Sequence, residues 1–181
     1  MDATIEALTP EAAIAHQAGL AALLQDTVDS GASVGFLPPV GEAEAREYWD
    51  SVVKAMRDGS RVLLIARATD DDVARTGIVG TVQLDLAMRA NARHRAEVTK
   101  LMVHRSARRH GIGRALMLAV EEHARRLRRA TLVLDTRQGD PSERLYRALG
   151  WQFAGAIPRY AESADGTPHA TAFYYRLLTP A

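Results

Sequence analysis

The segment HRSARRHGIGRALM, residues 104–117, joins an alternating run to a run with helical spacing, and this change of period decides the fold. Upstream, HRAEVTKLMVH (94–104) has the alternation and β-branched content of a strand. Downstream, Ile112, Leu116, Val120, Ala124 and Leu127 recur at three- and four-residue steps, the apolar stripe of an amphipathic helix. Between the two stands Arg108-x-x-Gly111-x-Gly113. Glycines let backbone approach a ligand closely, and the first N–H groups of a helix have no internal partner while its dipole favours negative charge. Arg108 to Arg114, with Arg109, His110 and Ile112 between the motif positions, therefore read as a phosphate cradle, and Arg108, Arg109 and Arg114 add positive charge at its mouth. The competing reading is a tight basic turn. A Walker loop is excluded because no G-x-x-x-x-G-K-[ST] is present, and a dinucleotide fingerprint would need three glycines after the first strand of a parallel fold.

Working outward, RVLLIARA (61–68) and IVGTVQLDLA (78–87) flank an Asp-rich turn and, with 94–104, make three consecutive strands with hairpin-length connections. They should form an antiparallel meander. Before them, Thr4 to Leu8 alternates weakly as a short strand. Thr9 caps a helix with Pro10 at its first position and apolar Ile14, Leu20, Leu23 and Leu24 behind it. Ala43 to Met56 is a second helix, following GASVGFLPPVG (31–41) and closed by the turn at Arg57-Asp58-Gly59-Ser60. After the central helix come a strand ATLVLDT (130–136), a short helix PSERLYRALG (141–150), a strand WQFAGAIP (151–158) and, beyond the Asp165-Gly166 turn, a strand HATAFYYRLL (169–178). Strand, helix, strand in the middle implies a crossover and one parallel pair. The sum is an α/β (α+β) domain over residues 1–181, with a mixed, mostly antiparallel seven-stranded sheet flanked by helices. No repeat or linker divides it.

Composition narrows the function. The chain of 181 residues has no cysteine, which removes disulfides, thiolate metal sites and a Cys nucleophile. His94, His104, His110 and His123 lack ligand spacing, so no metal is expected. A net charge of +1, without interleaved stacking aromatics, argues against nucleic acid, although arginines crowd between Arg89 and Arg137. Glu121 and Glu122, four residues before Arg125 and Arg126, can pair with them on a solvated helix face. No apolar run is long enough for a membrane span, and the first residues do not resemble a secretory signal, so a cytoplasmic protein is expected.

The combination EVTKLMVHRSARRHGIGRALM (97–117), LVLDT (132–136) and ERLYRALGW (143–151) resembles the GNAT family of N-acetyltransferases over nearly the whole chain. That resemblance implies acetyl-CoA as cosubstrate, its pyrophosphate held at Arg108 to Arg114 and its pantetheine arm paired with the backbone of Leu101, Met102 and Val103. It also implies a homodimer, which the family often forms. More narrowly, GASVGF (31–36), KLMV (100–103), LDT and GAIPRYAESADGTPHATAFYY (155–175) are similar to the tabtoxin-resistance branch, implying a small-molecule amine acceptor of the amino-acid-like toxin or antibiotic class. One departure stands out: where many members have an asparagine seven residues before the motif tyrosine, this chain has Gly139.

Acyl transfer to an amine needs a base, since alkyl ammonium groups titrate near ~10.4, and an acid for the departing thiolate. An unbroken pleat would put Glu97, Thr99, Leu101 and Val103 on one face, so Glu97 would share a face with the cofactor-binding residues. Asp135 closes its apolar strand at a C-terminal sheet edge. Either carboxylate fits the base; an ion pair of Glu97 with Arg95 or Lys100, and a strand-end cap at Asp135, are the structural alternatives. The resemblance makes Tyr146 the acid, against simple packing beside Leu145 and Leu149, and assigns acceptor selection to Ser33 and Phe36 in the loop from Gly31, and to Tyr160, Asp165 and His169. Two other uses of the site remain open: a different acyl donor or acceptor, and an acyl-CoA sensor without turnover.

Overall fold

The computed structural model describes residues 2–68 and 77–179, and the Asp-rich turn lies outside them. Strand β1 (Ala3–Ala7) leads into helices α1 (Pro10–Ala15), α2 (Gln17–Asp29) and α3 (Glu42–Arg57). Strands β2 (Arg61–Ala68), β3 (Ile78–Leu86) and β4 (Arg95–Val103) follow, then helix α4 (Ile112–Arg126), β5 (Thr131–Arg137), α5 (Ser142–Ala148), β6 (Gln152–Glu162) and β7 (Pro168–Leu177). The sheet order is β1-β2-β3-β4-β5-β7-β6, and every neighbouring pair is antiparallel except β4 with β5.

The expected first helix is two. Thr9 caps α1, its hydroxyl accepting the Ala12 N–H, but the chain breaks at His16 before α2 begins. Leu20, Leu23 and Leu24 are buried on α2, whereas Ile14 on α1 is exposed. The bend lets the His16 ring meet the Arg67 guanidinium of β2 at 2.9 Å.

Two apolar clusters sandwich the sheet. On one face, Ile112, Leu116, Val120 and Ala124 of α4 and Tyr146 and Leu149 of α5 pack on Val82, Leu84, Val98, Leu134 and Tyr174. On the other, Trp49, Val52 and Val53 of α3 and Leu20, Leu23 and Leu24 of α2 cover Leu63, Ile65 and Met102. Leu127, read as part of the α4 stripe, is the exposed C-cap instead. Glu121 corrects the solvated-face reading: it pairs with Arg125, yet it is buried, accepting from the Trp151 indole at 3.0 Å and facing Arg176.

Helix α4 comes unusually close to β3 at Gly80, where a Cβ would lie 3.0 Å from both Leu116 Cδ1 and the Met102 carbonyl. A larger residue must push back the helix or the backbone of β4. Gly80→Val should therefore lose about 1–3 kcal/mol, which outweighs a strand-propensity gain of at most ~1 kcal/mol. Denaturant titration checks this, and an unchanged midpoint would refute the close packing.

Candidate active site

Strands β4 and β5 pair over only three residues, Arg95 with Thr131 to Glu97 with Val133. Beyond that the two strands run on without pairing each other, to Val103 and Arg137, and the opening between them points at the start of α4. The parting coincides with a bulge in β4. Met102 lies opposite Thr81 and Thr99 opposite Gln83, so Lys100 and Leu101 together oppose Val82. Lys100 takes a left-handed φ of 52° there, which a non-glycine residue adopts only when its surroundings impose it.

The bulge corrects the unbroken pleat. Val98 and, beyond the bulge, Leu101 and Val103 pack toward α4, while Met102 packs toward α2 and α3. Glu97, opposite Asp85, lies with Thr99 on the α3 face. Asp135 is on that same face, because Val133 is the partner of Glu97 and side chains alternate along β5. Tyr146 is on the opposite face, buried against Trp151 and Tyr174 at ring-centroid distances of 6.3 and 6.0 Å. The two candidate bases and the candidate acid thus approach the opening from opposite sides of the sheet.

At the head of α4, Gly111 is the N-cap with φ 81°, a left-handed conformation suited to glycine. Among the described residues no backbone N–H of Arg109 to Arg114 is donated to a backbone acceptor, so these amides remain available to an anion. A Cβ on Gly113 would touch Leu145 Cδ2 at 3.4 Å, filling the notch between α4 and α5. Arg108 is engaged by the protein itself. Its Nε donates to the Val103 carbonyl at 3.0 Å and its Nη2 to Ser30 Oγ, which ties the loop to β4 and to the end of α2. Asp26 strengthens that seam by accepting from the Arg105 backbone N–H at 2.9 Å and from its guanidinium, with His104 3.5 Å away. Gly139, at φ 87°, donates its N–H to Glu143 at 2.6 Å.

The α3 face carries charges that the sequence did not mark as a group. Arg61 and Asp85 form a two-contact ion pair across β2 and β3, with one contact of 2.9 Å. Lys100 Nζ lies 6.0 Å from the Phe36 ring and 5.7 Å from the Tyr48 ring, favourable cation–π distances. Tyr48 is hydrogen-bonded to the buried Gln83 amide, and burial pushes its hydroxyl up to about 12. No ion pair within 4 Å joins Glu97 to Arg95 or Lys100. Burial raises the Glu97 carboxyl, and the neighbouring Asp135 and Asp85 charges raise it further. Burial raises Asp135 too, opposed chiefly by Lys100, while burial and the Arg61 charge lower the Lys100 ammonium. Burial also pushes the Tyr146 hydroxyl well above its ordinary value.

Beyond this cluster, the loop after α2 and the β6–β7 hairpin flank a half-open cavity of ≈ 820 Å³. Ser33, Phe36, Tyr160, Asp165 and His169, scattered over 137 positions of sequence, all line it, with Gly31 at its edge. Arg137 and Arg159 line it as well, and neither was marked by sequence motif.

The acetyltransferase (GNAT) family matches residues 26–151. The chain belongs to the GNAT acetyltransferase family. An uncharacterized N-acetyltransferase in the hisH-hisA intergenic region of Azospirillum brasilense is 34% identical over 115 residues, covering 62% of this chain and 63% of the relative, less than two thirds of its length. The GNAT fold is shared with the phosphinothricin acetyltransferase of Sinorhizobium meliloti in complex with acetyl-CoA, at TM-score 0.77 and 22% identity, covering 100% of this chain and 94% of that one. It is shared equally with a ribosomal-protein-alanine N-acetyltransferase of Brucella melitensis, at TM-score 0.77 and 23% identity, covering 97% and 99% of the two chains.

The charges on the α3 face predict a measurable coupling. In a carbon-detected NMR titration, Glu97 and Asp135 should titrate above their ordinary values, and Lys100→Met should move Asp135 further upward because its main opposing charge is gone. An unmoved Asp135 titration in the variant would show that Lys100 does not act on it.

Proposed function

We propose that this protein is an N-acetyltransferase moving an acetyl group from acetyl-CoA to the amine of a small molecule. The observation that carries the proposal is the parting of β4 and β5 after three paired residues, directly in front of the unpartnered amides that open α4. A ligand with a hydrogen-bonding arm can pair with the freed edge of β4, as an added strand does, while its diphosphate meets the helix amides. Leu101 keeps that edge available, whereas the Met102 carbonyl is turned to β3 and the Val103 carbonyl already accepts from Arg108. Arg109 and Arg114 supply charge near the diphosphate, and Gly111 and Gly113 give it room.

Acetyl-CoA supplies an activated thioester. The protein must take a proton from the acceptor ammonium and give one to the thiolate. Glu97 and Asp135 face the acceptor side with raised proton affinities, the condition for a base that works nearer neutral pH than an ordinary carboxylate. Tyr146, buried on the other side, holds its proton until a thiolate forms nearby. The acceptor enters through the cavity between the loop from Gly31 to Phe36 and the β6–β7 hairpin, where Ser33, Phe36, Tyr160 and His169 surround it. A cavity on this scale suits a small molecule. The structural likeness to a phosphinothricin acetyltransferase, together with the tabtoxin-resistance motifs, supports an amino-acid-like toxin or antibiotic as that molecule.

Thiol release from acetyl-CoA with a panel of amines tests the proposal. Tyr146→Phe should lower kcat by about 100-fold, within the range of a lost general acid, with little change in KM for acetyl-CoA. Glu97→Gln and Asp135→Asn should each lower kcat; full activity in both would remove the carboxylates from the role of base. Gly111→Val should weaken coenzyme A binding by calorimetry, since the side chain forces a strained left-handed residue into the cradle. Thermal stabilisation by coenzyme A without thiol release to any amine would favour a sensor over an enzyme.

A further inference from the structure

Arg137 ends β5 two residues beyond Asp135, so the two side chains leave the same face of the strand about 6.6 Å apart at their Cα atoms. Its guanidinium is fixed by a hydroxyl and an imidazole: Nη1 donates to Ser163 Oγ at 3.1 Å, and Nη2 lies 2.9 Å from His169 Nε2. Among the described residues no carboxylate lies within 4 Å of it. The other cations on this face are differently placed. Arg61 is engaged by Asp85, and Lys100 faces Asp85, Glu97 and Asp135 together. Two carboxylates share the cavity with Arg137, but Asp165 accepts the Thr167 N–H within its own turn at 2.9 Å, and Glu162 is exposed on the hairpin.

Arg137 is therefore a half-buried, pre-oriented cation in the cavity wall, one alternate residue from a candidate base. A guanidinium with no carboxylate partner keeps its charge for an incoming anion, and its planar fork matches a carboxylate. We infer that Arg137 is a specificity-determining residue that binds a free carboxylate on the acceptor, so that the site selects amines that are also acids. His169 and Ser163 position the guanidinium, which gives His169 a role through Arg137. The spacing from Asp135 suits a compact molecule, with its amine toward Glu97 and Asp135 and its acid toward Arg137. The inference rests on the acetyltransferase reading above for its use in catalysis, but the binding preference it states can be measured separately.

The experiment compares the proteinogenic L-amino acids with their carboxamides as acceptors, by thiol release from acetyl-CoA. The acids should exceed their carboxamides in kcat/KM by about 10- to 100-fold, the range of a charge-assisted hydrogen-bonded pair. That ratio should fall toward one in Arg137→Gln, mainly through KM, and recover in part in Arg137→Lys. A native ratio near one overturns the inference whether or not the variants fold. So does a ratio that survives in a folded Arg137→Gln, with folding verified by its coenzyme A affinity. If neither series releases thiol, the catalytic reading fails, and calorimetry with the same compounds on coenzyme A-loaded protein decides the inference alone. Tighter binding of acids than carboxamides, lost in Arg137→Gln, supports it, and equal or absent binding of the acids overturns it.

Discussion

The structure depends on where two parallel strands stop pairing. Three residue pairs hold β4 to β5, enough to keep the sheet continuous, and past Glu97 neither strand satisfies the other. Unpaired backbone edges inside a domain are costly unless something completes them. The bulge at Lys100 turns β4 at this point and keeps it paired with β3 on its other side, so the opening is one-sided. Helix α4 then sets the depth of the opening, and Gly80 sets how closely α4 can lie on the sheet.

From that geometry follows a division of labour across the sheet. The α4–α5 face is mostly apolar, with Glu121 and Glu143 buried in it on paired partners, and it places Tyr146 where desolvation makes its proton hard to remove. The α3 face collects Arg61, Asp85, Glu97, Lys100 and Asp135, with charge of both signs close together and partly desolvated. Charges in such a setting respond to one another more strongly than they would at an open surface. A candidate base in this cluster is tuned by burial and by its neighbours, and the Tyr146 hydroxyl on the other face chiefly by burial, with Ser142 lowering it and Asp140 and Asp135 raising it further.

Local signals were readable and tertiary ones were not. The strand, glycine loop and helix around Gly111 were legible because a period change and a left-handed glycine act within a few residues. The meander, the crossover and the seven strands followed from run lengths and turns. The bulge left only a faint mark, because Lys100 is not a glycine; the one signal is that Thr99 and Lys100 stand together between apolar Val98 and the run Leu101-Met102-Val103, which breaks the alternation where the φ of 52° falls. The break at His16 was hidden for the same reason, with neither glycine nor proline to announce it. Glu121 looked solvated because its partners Trp151 and Arg176 lie 30 and 55 positions away. Arg137 carried no motif; its meaning comes from the register that sets it beside the β6–β7 hairpin.

The seam between α2 and the cradle connects the two halves of the site. Asp26 and Ser30 hold Arg105 and Arg108, which precede the turn leading to Gly111, and the next residues of the chain, Gly31 to Ser33 with Gly35 and Phe36, line the neighbouring cavity. The cradle and the loop that lines the cavity are therefore tied by contacts of 2.9 Å and shorter rather than through a distant network. Phe36 completes the connection by lying against Tyr48 at 5.2 Å and beside Lys100, whose charge bears on Asp135. The loop before α4, the loop after α2 and Asp135 are thus linked by direct contacts and one short-range charge interaction along a single face of the sheet.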